Sequence, residues 1–255
     1  MSELLLVETK EHICTISLNR PDKRNALNPD LLRLMKDTFS NIKAGGEVRV
    51  VVLRGAGEKA FCAGADLPAV LSAESGRDIL QDAIESVVNC PCPVIAMIYG
   101  YAVGAGCDLA SACDLRIIAD SARMGINPVK LGLVYTPKAI GRLVRLIGPG
   151  YAKELFLTGR FFTAQRAKEM GLVNYVVPED ELLATTYALA QEIVENAPLA
   201  VAGTKSIINK YIDSKLSPEE EAAARAIVRN VRQTEDMKEG VQAFAEKRKP
   251  EFQGK

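Results

Sequence analysis

Two short stretches near the N-terminus, Leu4–Thr9 and Ile13–Leu18, read as strands, the second with polar Thr15 and Ser17 set between apolar Cys14, Ile16 and Leu18. Successive side chains of a strand point to opposite faces, so this period of two predicts a hairpin of half-buried strands. The period then changes. After the polar turn Pro21-Asp22-Lys23-Arg24-Asn25, the run Asn28-Pro29-Asp30 carries a helix start signal, with Asn as cap and Pro at the first position. Leu31, Leu32, Met35, Phe39 and Ile42 then share one face, and Gly45-Gly46 ends the helix. Val48–Leu53, Pro93–Ile98 and Leu115–Ala119 are apolar apart from Arg49 and Arg116, which predicts buried strands. Helices are predicted between them at 77–90, after a polar loop at 72–76, and at 104–112.

From Pro137 the pattern is nearly all helical, at 137–146, 149–157, 163–170, 181–195, 197–212 and 217–231, with one short strand at Val173–Val177. Strand–turn–helix units followed by helices describe an α/β domain with an α-helical tail. The best boundary falls at Asn196-Ala197-Pro198 and divides the chain into 1–195 and 196–255.

Composition narrows the classes. The 255 residues carry 32 basic and 32 acidic side chains, and a formal charge of zero argues against an extended nucleic-acid surface. No stretch approaches the ~18 consecutive apolar residues of a membrane helix. The N-terminus lacks a basic signal-peptide region. The expected setting is cytoplasmic, with neither nucleic acid nor membrane as partner. The six cysteines include Cys90-Pro91-Cys92, a C-x-C spacing, and His12 is the single histidine. No metal site is expected from that set; the thiols read as reduced, buried small hydrophobes and His12 as structural.

Candidate chemistry sits in two small-residue turns about forty positions apart: Ala60-Phe61-Cys62-Ala63-Gly64-Ala65-Asp66-Leu67, and Tyr99 through Asp108 with Gly104-Ala105-Gly106 at its centre. Small residues let a backbone approach a ligand and leave N–H groups free to point inward. Two such groups aimed at one point form an oxyanion hole, which stabilises charge developing on a carbonyl oxygen.

These turns, with Asn19-Arg20-Pro21-Asp22-Lys23-Arg24-Asn25-Ala26-Leu27-Asn28, Cys113-Asp114, Leu157-Thr158-Gly159, Ala164-Gln165-Arg166-Ala167, Gly171-Leu172-Val173 and Glu239 through Arg248, resemble the enoyl-CoA hydratase/isomerase (crotonase) family. The similarity runs over almost the whole chain, in order. It implies a spiral of ββα units with a C-terminal α-helical oligomerisation region building a homotrimer or homohexamer. It also implies a coenzyme A thioester as substrate, and no metal or organic cofactor. By position, the two oxyanion donors are the backbone N–H groups of Ala65 and Ala105; the family usually has Gly at the second. Positions implied to line the substrate are Lys23, Arg24, Ala26, Ala63, Gly64, Asp66, Leu67, Gly104 and Pro128. Phe244 and Lys247 would reach a neighbour's coenzyme A. Lys23, Arg24 and Lys59 suit its phosphates, and Lys130 reads as a solvated charge.

The acid/base group is where the chain departs from the family. Hydratases carry two glutamates that share a water; the first falls on Asp108 and the second on Pro128, which can take no proton. Tyr135, in Gly132-Leu133-Val134-Tyr135-Thr136, stands in a segment similar to the methylmalonyl-CoA decarboxylase branch, although that branch has His where this chain has Ala65. An ordinary Tyr, with a pKa of about 10, suits a proton donor better than a base. Hydratase-like lyase chemistry is the first reading. Decarboxylation or double-bond isomerisation comes second, and acyl-CoA binding without turnover third.

Overall fold

The computed structural model describes residues 3–72, 76–196, 198–212, 222, 229, 233, 235–248 and 250. Contacts cluster into two compact units, each built from two chain segments: Met1–Met124 with Phe162–Ile212, and Gly125–Phe161 with Asp213–Lys255.

The first unit is organised by a six-stranded sheet. Strands β1 (Leu5–Lys10) and β2 (Ile13–Leu18) pair antiparallel, from Leu5 opposite Leu18 to Lys10 opposite Ile13. Glu11 and His12 connect them with φ of 50° and 68°, the twist-matched geometry of a two-residue hairpin. The His12 ring bonds the Glu47 carbonyl at 2.8 Å. Strands β3 (Val50–Gly55), β4 (Val94–Ile98), β6 (Leu115–Ala119) and β9 (Tyr175–Val177) extend the sheet in the order β1-β2-β3-β4-β6-β9, parallel from β2 onward. Every residue of β4 is buried, as the unbroken apolar run requires of a strand covered on both faces.

Helix α1 (Pro29–Ser40) starts where the sequence signals it, with Asn28 Oδ1 accepting from the Leu31 amide at 3.1 Å. Its buried face is Leu31, Leu32, Met35 and Phe39, packed on α3 (Gly76–Val88). Helix α7 (Leu182–Val194) lies across β2, β3, β4 and β6. The unit also holds α6 (Ala164–Glu169), capped by Thr163, and α8 (Pro198–Ile212). Two features go beyond the sequence pattern. A short helix α2 (Leu67–Ser72) follows the first small-residue turn. Three three-residue strands, β5 (Tyr101–Val103), β7 (Arg123–Gly125) and β8 (Phe161–Thr163), form a small second sheet where the chain leaves and re-enters this unit.

In the second unit, α5 (Pro137–Thr158) is capped by Thr136 and broken at Gly148 (φ 73°, ψ 163°) before Pro149, which gives the two expected helices. Gly159, with φ 57°, terminates it. Helix α9 (Glu235–Ala245) packs on the 3₁₀ turn Pro128–Leu131, and Gly240 makes that possible: a Cβ there would collide with the Leu131 backbone. Arg248 closes the end of α9, reaching Glu239 at 2.5 Å and Glu246 at 2.6 Å. The helix expected at 217–231 and residues 73–75 of the expected loop lie outside the described residues, apart from positions 222 and 229.

Candidate active site

The first small-residue turn is aligned by an isolated parallel bridge between Leu27 and Ala65. The Leu27 amide donates to the Gly64 carbonyl at 2.8 Å, and the Asp66 amide to the Leu27 carbonyl at 2.8 Å. In a trans peptide, C=O and N–H point in opposite directions. With the Gly64 carbonyl turned toward Leu27, the Ala65 N–H faces away from it. Gly64 reaches this geometry at φ 103°, a region side chains disfavour.

The second turn repeats the logic at a helix end. Helix α4 (Ala105–Ala112) begins after Gly104, whose φ and ψ are 56° and −122°. The Gly104 carbonyl accepts from the Asp108 amide at 3.1 Å, so the N–H on the same peptide, that of Ala105, points out of the helix N-terminus. The helix dipole adds positive potential along that direction.

Backbone stitches hold the two turns together. The Cys62 amide donates to the Tyr101 carbonyl and the Val103 amide to the Cys62 carbonyl, each at 3.0 Å. A Cβ on Gly64 would stand 2.9 Å from the Val103 oxygen and 3.6 Å from the Ala105 nitrogen, and one on Gly106 would strike Cys62. Only hydrogen fits at either place. The Cys62 thiol accepts from the Gly64 amide at 3.4 Å, and burial pushes it up to about 12. It therefore stays protonated near neutral pH and serves the turn rather than chemistry. Asp108 lies one helical turn beyond Ala105 and is 3% exposed. A carboxylate in the first turn is favoured by the dipole.

Comparison with known proteins fits this arrangement. The family model described as enoyl-CoA hydratase/isomerase matches residues 8–255. The chain belongs to the enoyl-CoA hydratase/isomerase family. It is 39% identical to the short-chain-enoyl-CoA hydratase of Clostridium acetobutylicum, over 97% of this chain and 96% of that one. It is 37% identical to the crotonyl-CoA hydratase of Syntrophomonas wolfei, over 98% of both. Among solved structures, methylmalonyl-CoA decarboxylase in complex with 2-nitronate-propionyl-CoA superposes with a TM-score of 0.92 at 31% identity, covering 100% of both chains. The mixed α/β fold is that of this enoyl-CoA hydratase/isomerase family.

Within this family member, Ala26, Ala63, Gly64, Ala65 and Asp66 come together around the Leu27 bridge, and the Ala63 amide donates to the Arg24 carbonyl at 2.9 Å. Leu67 opens α2, and Gly104 precedes α4. Lys23 and Arg24 are exposed. Arg24 and Lys59 line a shallow cavity of about 280 Å³ with Asp22 and Glu58, so two cations share it with two anions. Pro128, Tyr135, Phe244 and Lys247 belong to the second unit. Pro128 is buried at the start of its 3₁₀ turn. The Tyr135 ring packs on Phe156 with centroids 5.6 Å apart. Phe244 is 58% exposed, and Lys247 adopts φ 55° just past the end of α9. Among the described residues, no group of three His, Cys, Asp or Glu is arranged to hold a metal ion. No helix among them is long and apolar enough to cross a membrane.

Three residues that sequence reasoning left without a role shape the site. Asn25, 1% exposed, donates to the carbonyls of Ala56 at 3.1 Å and Ala60 at 2.8 Å while accepting from the Arg20 amide. Arg20 reaches Asp66 at 3.0 Å. Arg116, 3% exposed, donates to the Cys113 carbonyl at 2.5 Å and, weakly, to that of Ala110 at 3.4 Å, at the far end of α4. Burial lowers its pKa. A cation at a helix C-terminus favours the same dipole orientation that serves Ala105. A charged residue beside an apolar run is the signal that could have found it.

Proposed function

We propose that this protein is a lyase that adds water across the double bond of a 2-enoyl thioester of coenzyme A. Water attacks the β-carbon, the π electrons shift onto the thioester oxygen, and the enolate takes a proton at the α-carbon. The N–H groups of Ala65 and Ala105 hold that oxygen as charge gathers on it. Asp108 takes the proton from water and returns one to carbon, a single carboxylate serving both steps. The observation that carries this reading is the pair of outward N–H groups on adjacent turns, each opposite an engaged glycine carbonyl. The hydratase relatives support it.

The thioester supplies its own electron sink, so the reaction needs no metal ion or organic cofactor. Lys23, Arg24 and Lys59 would meet the coenzyme A phosphates, and Ala26, Ala63, Leu67 and Gly104 would line its path. Phe244 and Lys247 would serve a neighbouring subunit of a homotrimer or homohexamer. Exposed Leu157, Phe161 and Phe244 in the second unit favour such an assembly. Six free, buried cysteines suit a reducing cytoplasm.

Purified protein incubated with crotonyl-CoA should bleach the conjugated thioester absorbance and yield 3-hydroxybutyryl-CoA. Tight binding without change in crotonyl-CoA, methylmalonyl-CoA or a 3-enoyl-CoA would make the protein a binder. A second reading, decarboxylation, is favoured by Pro128 and by the likeness to methylmalonyl-CoA decarboxylase. There Tyr135 would deliver the proton. Tyr135→Phe should spare hydration and lower any CO₂ release; loss of hydration instead would move Tyr135 into the lyase mechanism.

A further inference from the structure

Beside the first turn, Arg20 forks. Its Nη1 donates to the Ala26 carbonyl at 2.6 Å and its Nη2 to the Asp66 carboxylate at 3.0 Å. Those acceptors flank the Leu27–Ala65 bridge: Ala26 precedes Leu27 on one segment and Asp66 follows Ala65 on the other. One planar guanidinium thus spans both sides of the bridge, a task suited to its fixed fork. The pair is largely withdrawn from solvent, with side chains 15% and 27% exposed. Arg20 is itself anchored, because its amide donates to the buried Asn25 side chain at 3.1 Å.

The need for such a clamp follows from Gly64. Glycine lets the Gly64–Ala65 peptide adopt the orientation that frees the donor, and the same freedom lets the peptide rotate. Rotation would swing the Ala65 N–H off its target. The two backbone bonds of the bridge resist it, and the Arg20 fork ties the segments that carry those bonds.

We propose that Asp66 is a positioning residue rather than a substrate ligand: paired with Arg20, its carboxylate keeps the Gly64–Ala65 peptide oriented so that the Ala65 N–H stays on the thioester oxygen. The proposal rests on the oxyanion reading above and deepens it.

The test uses the full-length protein with Asp66→Asn, Arg20→Gln and the double variant. Turnover is measured with crotonyl-CoA, and the carbonyl stretch of bound carbonyl-¹³C butyryl-CoA is read by difference infrared. Small displacements of a catalytic group cost up to ~10²-fold, so each single variant should lower kcat by roughly 10- to 100-fold with KM nearly unchanged. The bound carbonyl stretch should shift toward that of free thioester, and the double variant should be no worse than the singles. Arg20→Lys, which keeps the charge but not the fork, should fall between and replaces any variant that fails to fold. A raised KM with unchanged kcat, or additive losses, would overturn the proposal. Ala105→Pro separates the two ideas. If it leaves turnover and carbonyl stretch as in the unmodified protein, the oxyanion reading fails; if it abolishes both while Asp66→Asn alters neither, only the clamp fails.

Discussion

The two small-residue turns present the same group by different means. At Gly64–Ala65 the donor peptide is fixed from the side, by a two-bond bridge to Leu27 and the Arg20 fork. At Gly104–Ala105 it is fixed from behind, by the first hydrogen bond of α4 and by Arg116 on that helix's last carbonyls. The helix turn brings its own electrostatics, since a dipole already favours negative charge at its end. The bridge turn brings none and depends on neighbouring side chains. A donor built on a helix therefore tolerates local change better than a donor built on a loop.

The largest effect should come from removing one donor without removing its scaffold. Proline is welcome at the first position of a helix, and the φ and ψ of Gly104 mirror the extended geometry a residue before proline adopts. Ala105→Pro should therefore keep the fold and lower kcat by about 10²–10³-fold. Circular dichroism and crotonyl-CoA turnover check both halves. A folded Ala105→Pro protein with unmodified turnover would overturn the oxyanion reading. Asp108→Asn comes next, with a loss of at least about 10²-fold in hydration if that carboxylate moves the proton; near-unmodified rates would take it out of the mechanism.

Gly64→Ala probes the loop-built donor. Its methyl would meet the Val103 carbonyl at 2.9 Å and sit at φ 103°. A stability loss of about 1–3 kcal/mol, read by denaturant unfolding, should accompany reduced turnover. Unchanged stability would mean that the turns are less tightly stitched than the Cys62 ladder indicates.

The remaining effect is alkaline and bears on stability rather than turnover. Burial raises the thiols of Cys62, Cys90 and Cys113 from 9.0 to about 12. Above pH 9 the unfolded chain releases protons that the folded chain retains, so stability should be full below pH 9 and decline from there toward pH 12. Unfolding midpoints at pH 8 and pH 10.5 measure the slope. Cys62→Ala should flatten it, separating the thiol beneath the bridge turn from the others.

Much of the sheet was legible in the sequence, because the polar residues set between apolar ones in β2 and the largely apolar β3, β4 and β6 are local consequences of which faces are covered, whereas β1, exposed after Leu5, shows no such period. Asn28 and Pro29 marked α1 for the same reason. The small sheet was not legible: three residues are too few to show a period, and β5, β7 and β8 come from distant parts of the chain. The two small-residue turns were legible as Gly-Ala pairs. Their supports were not, since Arg20, Asn25 and Arg116 gain their roles only from carbonyls brought to them by folding.

Asn25 holds its place through a single atom. Its amide nitrogen feeds two carbonyls at once, those of Ala56 and Ala60, in a place water scarcely reaches. Asn25→Asp would exchange that nitrogen for oxygen and turn both attractions into repulsions. So small an exchange, one atom with no change of shape, would loosen the loop that Arg20 leans on.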